Sequence, residues 1–238
     1  MANSITTLEA LLDSSLAEPL QSFGFERVQR LIFQKNLPEV RQLLRFPTRI
    51  ESGIMLFSAN AAIRFDKIEE LLGNADPLCP TLMMPVHLLK PGSEFCEWKF
   101  APESSSGVLD LVLADCRQFL LPFVERMSAL ETLKLQLLYE IDHYATVARQ
   151  RAQLSSETER TKFDVAIKND GKLRLVLSPE QRVEKLAAIH VLEGRKDEAE
   201  RLIDSEILKL KEGRQLPPMV AKRVRWEGLK KALLCKPS

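Results

Sequence analysis

The sequence predicts an α+β fold: an antiparallel sheet packed on helices, followed by a helical C-terminal region. Three observations carry that expectation. Apolar residues recur at helical spacing from Ile5 to Phe23, alternate with period two between Arg27 and Phe65, and return to helical spacing after Gly107. The connections between the alternating runs are short, which favours antiparallel pairing because parallel strands need long crossovers.

The first helix puts Ile5, Leu8, Leu12, Leu16, Leu20 and Phe23 on one stripe. Thr6 and Glu9 fit a capping box, and Gly24 stands where a left-handed C-terminal residue is wanted. Residues 27–33 then read as one strand, and residues 40–46 as another, closed by Pro47. Residues 54–65 read as a single long central strand. Its odd-numbered face, with Met55, Phe57, Ala59, Ala61, Ile63 and Phe65, is apolar, and its even-numbered face carries Ser58, Asn60 and Arg64. Asp66 and Glu69 open a short helix that Gly73 ends. Pro77, Pro80, Pro85 and Pro91 make the next stretch irregular. Residues 95–100 read as a strand with Cys96, Trp98 and Phe100 on one side, and residues 101–107 as a loop.

Residues 108–121 are apolar on nearly every side, which predicts a buried helix broken or kinked at Pro122. Ser128 and Glu131 cap a long helix to Leu154 that turns Leu130, Leu133, Leu137, Leu138 and Ile141 inward. Residues 155–161 read as a linker, dividing the chain into an α+β domain, 1–154, and a C-terminal region, 162–238. Alternation in Phe163, Val165, Ile167 and in Leu173, Leu175, Leu177, on either side of Asn169-Asp170-Gly171, predicts a hairpin. Ser178, Pro179 and Gln181 mark the start of a helix bearing Val183, Leu186, Ala187, His190 and Val191. On that face His190 reads as a hydrogen-bonded core histidine. A second helix carries Ala199, Leu202, Ile203 and Ile207, and Pro217-Pro218 open a last one with Val220, Val224 and Leu229.

The 238 residues are 45% hydrophobic and 28% charged, which suits a sizeable core and argues against wholesale disorder. Thirty-four basic and 33 acidic residues leave a net charge of +1, so no global excess points to nucleic acid or a membrane. No apolar run reaches the roughly 18 residues of a membrane helix, and the N-terminus lacks the basic start of a signal peptide. A soluble, cytoplasmic protein is expected. Cys79, Cys96, Cys116 and Cys235 are widely spaced, with no C-x-x-C and no histidine at metal-ligand distance, so reduced thiols are expected and no metal or other cofactor. No nucleotide, protease or metal motif occurs, and no catalytic residue is assigned. Asp142 and His143 are adjacent and diverge by about 100° on a helix, so they form no dyad by themselves.

Two groups of residues stand out. Arg27, Arg30, Arg41, Arg45, Arg49 and Arg64 crowd the strand region. Arg41 and Arg45 share a strand face, as do Asn60 and Arg64, and such a face suits bidentate clamping of an acidic partner. Cross-strand ion pairs with Glu39, Glu51 and Glu97 are the plainer use of the same arginines. The second group is C-terminal: residues 209–238 hold nine basic and two acidic residues. Lys222, Arg223, Arg225, Lys230 and Lys231 surround Trp226. That patch suits phosphate contacts with base stacking, or docking on the acidic remainder of the chain.

The opening helix, Gly24-Phe25-x-Arg27, Phe33 in a strand, the long run 54–65 and the turn into Asp66-x-x-Glu69 together resemble a bacterial family of domains of unknown function. The resemblance implies a small cytosolic α+β domain that engages toxins or other proteins, and it carries over no catalytic residue. Gly194-Arg195-x-x-Glu198-Ala199 makes residues 178–212 similar to one tetratricopeptide helix pair. The function expected is therefore a non-enzymatic cytosolic protein-binding module, immunity- or adaptor-like, with an acidic partner. A nucleic-acid-binding protein using the basic C-terminal helix is the alternative, and an enzyme with a site assembled from scattered residues is the third reading.

Overall fold

A computed structural model describes residues 2–52, 54–90, 96–101, 105–168, 173–212 and 217–235. The fold is α+β, with antiparallel sheets and a helical C-terminal region. The chain forms two compact units, one of Met1–Phe65 with Pro80–Ala129 and one of Asp66–Cys79 with Leu130–Ser238.

In the first unit α1 (Ala2–Gln21) buries Leu12, Leu16 and Leu20, part of the expected stripe. The helix starts before Thr6, so no capping box forms there, and the Glu9 carboxylate turns to other partners. Gly24, at φ +81°, closes the helix as its position requires.

Residues 27–33 are two strands rather than one, β1 (Glu26–Gln29) and β2 (Ile32–Asn36). The turn between them holds Leu31 at φ +58°, a left-handed conformation uncommon for a bulky side chain. Its N–H donates to Asp13 Oδ1 at 2.8 Å, and Asp13 Oδ2 meets Arg27 at 2.8 Å. One buried carboxylate therefore fixes the turn to α1.

The next four strands are β3 (Val40–Arg45), β4 (Thr48–Glu51), β5 (Ile54–Phe57) and β6 (Asn60–Phe65). Residues 54–65 are thus not one strand of one sheet, because the run breaks at Ser58-Ala59. Opposite the break lie Phe46 and Pro47, and Ser58 N–H donates to the Pro47 carbonyl at 3.1 Å. The pairing stays in register through this corner. Val40 faces Phe65, Arg45 faces Asn60, Thr48 faces Phe57 and Glu51 faces Ile54, each pair adding to 105. One bent hairpin therefore serves two sheets, as strands that switch sheets at a corner do.

The region around Pro77–Pro91 is also less irregular than expected, since it contains β7 (Leu82–Pro85) and a short 3-10 turn, Val86–Leu88. With β8 (Trp98–Phe100), the sheets have the orders β1-β2-β3-β6-β7 and β4-β5-β8. Phe33, Leu44, Ala61, Ile63 and Met84 occupy the inner face of the larger sheet, all fully buried. In the smaller sheet Phe57 is fully buried, with ring centroids 5.4 Å from Trp98 and 6.1 Å from Phe100.

The apolar segment expected as one buried helix is α3 (Ser105–Asp115), a π-turn (Cys116–Leu120) and α4 (Leu121–Met127). Pro122 lies in the first turn of α4, directly after the π-turn. Burial pushes the Cys116 thiol up to about 12. Ser128 does not cap the following helix. Its hydroxyl donates to the Val124 carbonyl and accepts from Gln42 at 2.9 Å, tying α4 to β3.

The second unit holds α2 (Asp66–Leu71), α5 (Leu130–Ala152), α6 (Glu157–Lys168), α7 (Pro179–Leu192), α8 (Lys196–Glu212) and α9 (Pro217–Leu234). Residues 155–161 are a helix start rather than a linker. The Ser156 hydroxyl accepts the Glu159 N–H at 3.2 Å, and the Glu159 carboxylate accepts the Ser156 N–H at 3.1 Å. The expected hairpin is absent: Phe163, Val165 and Ile167 lie on α6, residues 173–177 form no strand, and Asn169-Asp170-Gly171 falls outside the described residues.

Helix α7 is the centre of this unit, with α2, α5, α8 and α9 against it. Ser178 and Gln181 form the expected capping box. Every residue from Arg182 to His190 is buried. Arg182 Nε donates to Glu140 at 2.7 Å, its Nη2 donates to the Leu175 carbonyl at 3.1 Å, and its guanidinium lies 4.4 Å from the Tyr144 ring. His190 is buried, yet its Nδ1 makes no hydrogen bond, which corrects the reading of a satisfied core histidine. Leu138 on α5 and Val224 on α9 point outward. Glu140, and Trp226 with Leu233, take the inward positions.

Candidate functional site

The register of the larger sheet sets the expected residues in two pairs at opposite ends of the β3–β6 ladder. Arg41 lies opposite Arg64, and Arg45 opposite Asn60, on the face turned away from the sheet's inner core. Arg64 is only 3% exposed, so this face does not offer it to a partner as the sequence suggested. Arg45 and Asn60 are half-buried and line a cleft of about 480 Å³.

That cleft collects residues the sequence does not place together. Arg30, Leu31 and Ile32 come from the β1–β2 turn, and Phe46, Pro47 and Thr48 from the corner of the bent hairpin. Met83 comes from β7 and Glu9 from α1. The corner opens the cleft: without the bend at Pro47 and Ser58, β4 and β5 would continue the sheet past Arg45 and Asn60. Glu9 Oε1 accepts the Thr48 hydroxyl at 2.6 Å, and its Oε2 lies 3.5 Å from Arg30 Nη1. Arg30 is half exposed. Apolar walls beside two guanidinium groups and an amide suit an anionic group attached to an apolar one.

Arg49 behaves differently. It donates to both oxygens of Glu97, at 2.6 to 3.0 Å, and meets Glu51 at 2.9 Å. The Arg49 hydrogen bonds hold the Glu97 carboxyl below its ordinary range. Here the plain ion-pair use of the arginines is what the chain adopts.

The C-terminal group packs within its own unit. Lys222 reaches Glu180 at 2.8 Å, Arg225 reaches Glu184 at 2.6 Å, and Lys230 reaches Asp204 and Glu200 at 2.8 Å. Arg223 lies 3.7 Å from Glu227, and Lys231 is exposed. Trp226 is 3% exposed and offers no ring for a base to stack on. Burial raises the Glu184 carboxyl, and the Arg225 charge opposes that rise.

No family model, curated protein or solved structure matches the chain. Among the described residues no cluster of three or more histidine, cysteine, aspartate or glutamate side chains is arranged to hold a metal, and no helix is long and apolar enough to cross a membrane. His143 stacks on Tyr139, with centroids 5.6 Å apart, and lies 3.4 Å from an Arg174 nitrogen.

Proposed function

We propose that this protein is a non-enzymatic, cytoplasmic protein-binding module, immunity- or adaptor-like, that takes an acidic segment of its partner in the Arg45–Asn60 cleft. The supporting observation is the convergence of Arg30, Arg45 and Asn60, from three places in the chain, on one open apolar-walled cleft. Glu9 is the carboxylate among the lining residues, and its bond to Thr48 ties it down, which favours binding over acid–base chemistry. Four free thiols fit a reducing compartment. The nucleic-acid reading is weakened because three C-terminal cations already contact acids of α7 and α8.

An array of acidic, neutral and basic peptides tests the proposal. Acidic members should bind, Arg45→Glu should weaken them about tenfold, and the loss should come mainly from slower, salt-sensitive association. Equal binding of all three peptide classes would remove the reading.

A further inference from the structure

We propose that the second unit binds a free α-amino acid with an apolar side chain, in a pocket formed by the end of α2 with α7 and α9. The proposal is independent of the protein-binding reading above, which concerns a cleft of the first unit.

The pocket has a volume of about 340 Å³, room enough for a small metabolite. Its two charged lining residues are Glu184 and Arg225. Arg225 Nη2 meets Glu184 Oε1 at 2.6 Å, so the two charges cancel and the lining offers one group of each sign. The pair exhausts neither group. A carboxylate has about four acceptor positions and a guanidinium five donors, and one such pair engages at most two of each. Among the described residues no other ion pair or hydrogen bond reaches the Glu184 carboxylate.

A ligand that completes this pair carries both charges close together. In an α-amino acid the ammonium nitrogen and the carboxylate carbon stand about 2.5 Å apart, which matches the spacing of the protein's own pair. Laid head to tail, the four charges close into a square of alternating sign. A ligand with a single charge would leave the square open and the lining out of balance. Side-chain exposures of 11% for Glu184 and 67% for Arg225 set the direction, with the ammonium inward and the carboxylate toward solvent. Burial already raises the Glu184 carboxyl against the Arg225 charge, so a second cation beside it offsets that cost.

The remaining walls suit the side chain. Leu71 and Leu72 stand at the end of α2, and Leu229 comes from α9. Gly228 lines the pocket from the interior of α9, where glycine weakens a helix relative to alanine. Packing does not demand it, since a Cβ added there would meet no atom within 4 Å. Its missing side chain keeps the volume open for that of the ligand.

Equilibrium dialysis of the full chain against radiolabelled leucine, methionine and phenylalanine tests the proposal. At least one should bind saturably at one site per chain. The amide and the N-acetyl derivative of the tightest binder, each with one charge removed, should compete about tenfold less well, and so should glycine. Gly228→Leu should fill the pocket and abolish binding, with a Tm equal to or above that of the parent. Glu184→Gln should weaken the amino acid about tenfold and leave the N-acetyl derivative unchanged. Absence of binding for all three amino acids overturns the proposal. The amide competing as well as the amino acid would make the occupant a chain N-terminus, and the N-acetyl derivative doing so would make it a C-terminus. Either result overturns the free amino acid, and both are read on the unmodified protein. Binding unmoved by Gly228→Leu places the ligand elsewhere and overturns the site.

Discussion

Lys185 on α7 and Glu69 on α2 stand 116 positions apart in the chain and meet at 2.9 Å, with the carboxylate fully buried. The Asn74 amide binds the other Glu69 oxygen. The contact fixes the short helix α2 against the central helix α7. Lys185→Ala leaves the carboxylate buried with the amide alone and should cost about 3–5 kcal/mol. Replacing both residues, Lys185→Met with Glu69→Leu, should come back to within about 1 kcal/mol of the parent, because apolar packing replaces two desolvated charges. Urea midpoints of the two single variants and the double variant decide this, and a silent Lys185→Ala would refute the contact.

Acid should loosen α9 through Glu180. Lys222, the helix-end N–H of Glu180 itself and Ser178 hold this carboxyl down at about 2, against an ordinary value of 4.5. Because the folded value is the lower one, the contact adds stability above about pH 4.5 and loses it as the pH falls toward 2. The pair is partly exposed, so the gain is small, about 0–1 kcal/mol. Melting curves of the parent and Lys222→Met should separate above pH 4.5 and converge near pH 2. A gap that stays constant with pH would assign the effect to packing instead.

Asp13 should control the rim of the cleft from outside it. Asp13→Ala leaves the buried Leu31 N–H without its acceptor and should cost about 1–3 kcal/mol. The freed turn carries Arg30, so affinity for acidic peptides should fall as well. Asp13→Asn retains an acceptor and should lose less of both. Thermal melts and peptide titrations on the same two variants check the ranking, and equal losses would contradict it.

Phe57→Ala should cost about 3–5 kcal/mol, since the ring is fully buried against Trp98 and Phe100. Trp98 fluorescence should shift with the loss of its neighbour. An unchanged denaturation midpoint would place Phe57 outside the core.

Local signals were readable where cause and effect lie within a few residues. The stripe of α1, Gly24 at its end and the Ser178–Gln181 cap are of this kind. The corner at Ser58-Ala59 was not, because alternation with period two continues unbroken through a bend and does not say which sheet a strand joins. Helix α6 is disguised in the sequence because Phe163, Val165 and Ile167 mimic a strand beside a turn sequence, while the deciding cap, Ser156 with Glu159, lies in a polar stretch that resembles a linker. The buried charges of α7 look like a solvated face until Glu69 and Glu140 arrive from distant helices. At the cleft, strand parity pointed to Arg45 and Asn60. Glu9, Thr48 and Met83 had no local mark, because tertiary packing alone brings them there.

The bent hairpin also has a bearing on the order of folding. Its tip joins Glu51 to Ile54, three positions apart, while its base joins Val40 to Phe65. Closing the short loop costs the least chain entropy, so pairing is expected to start at the tip and zip toward the base. The outer pair β4–β5 then forms early and hands its alignment to β3–β6. Substitutions at Thr48 or Ile50 should slow refolding more than those at Val40, and the opposite ranking would reverse the direction. A one-residue slip made at the tip would be inherited by both sheets, turning Arg45 from the cleft to the core side. Fidelity at a two-residue turn thus governs whether a binding surface exists at the far end of the ladder.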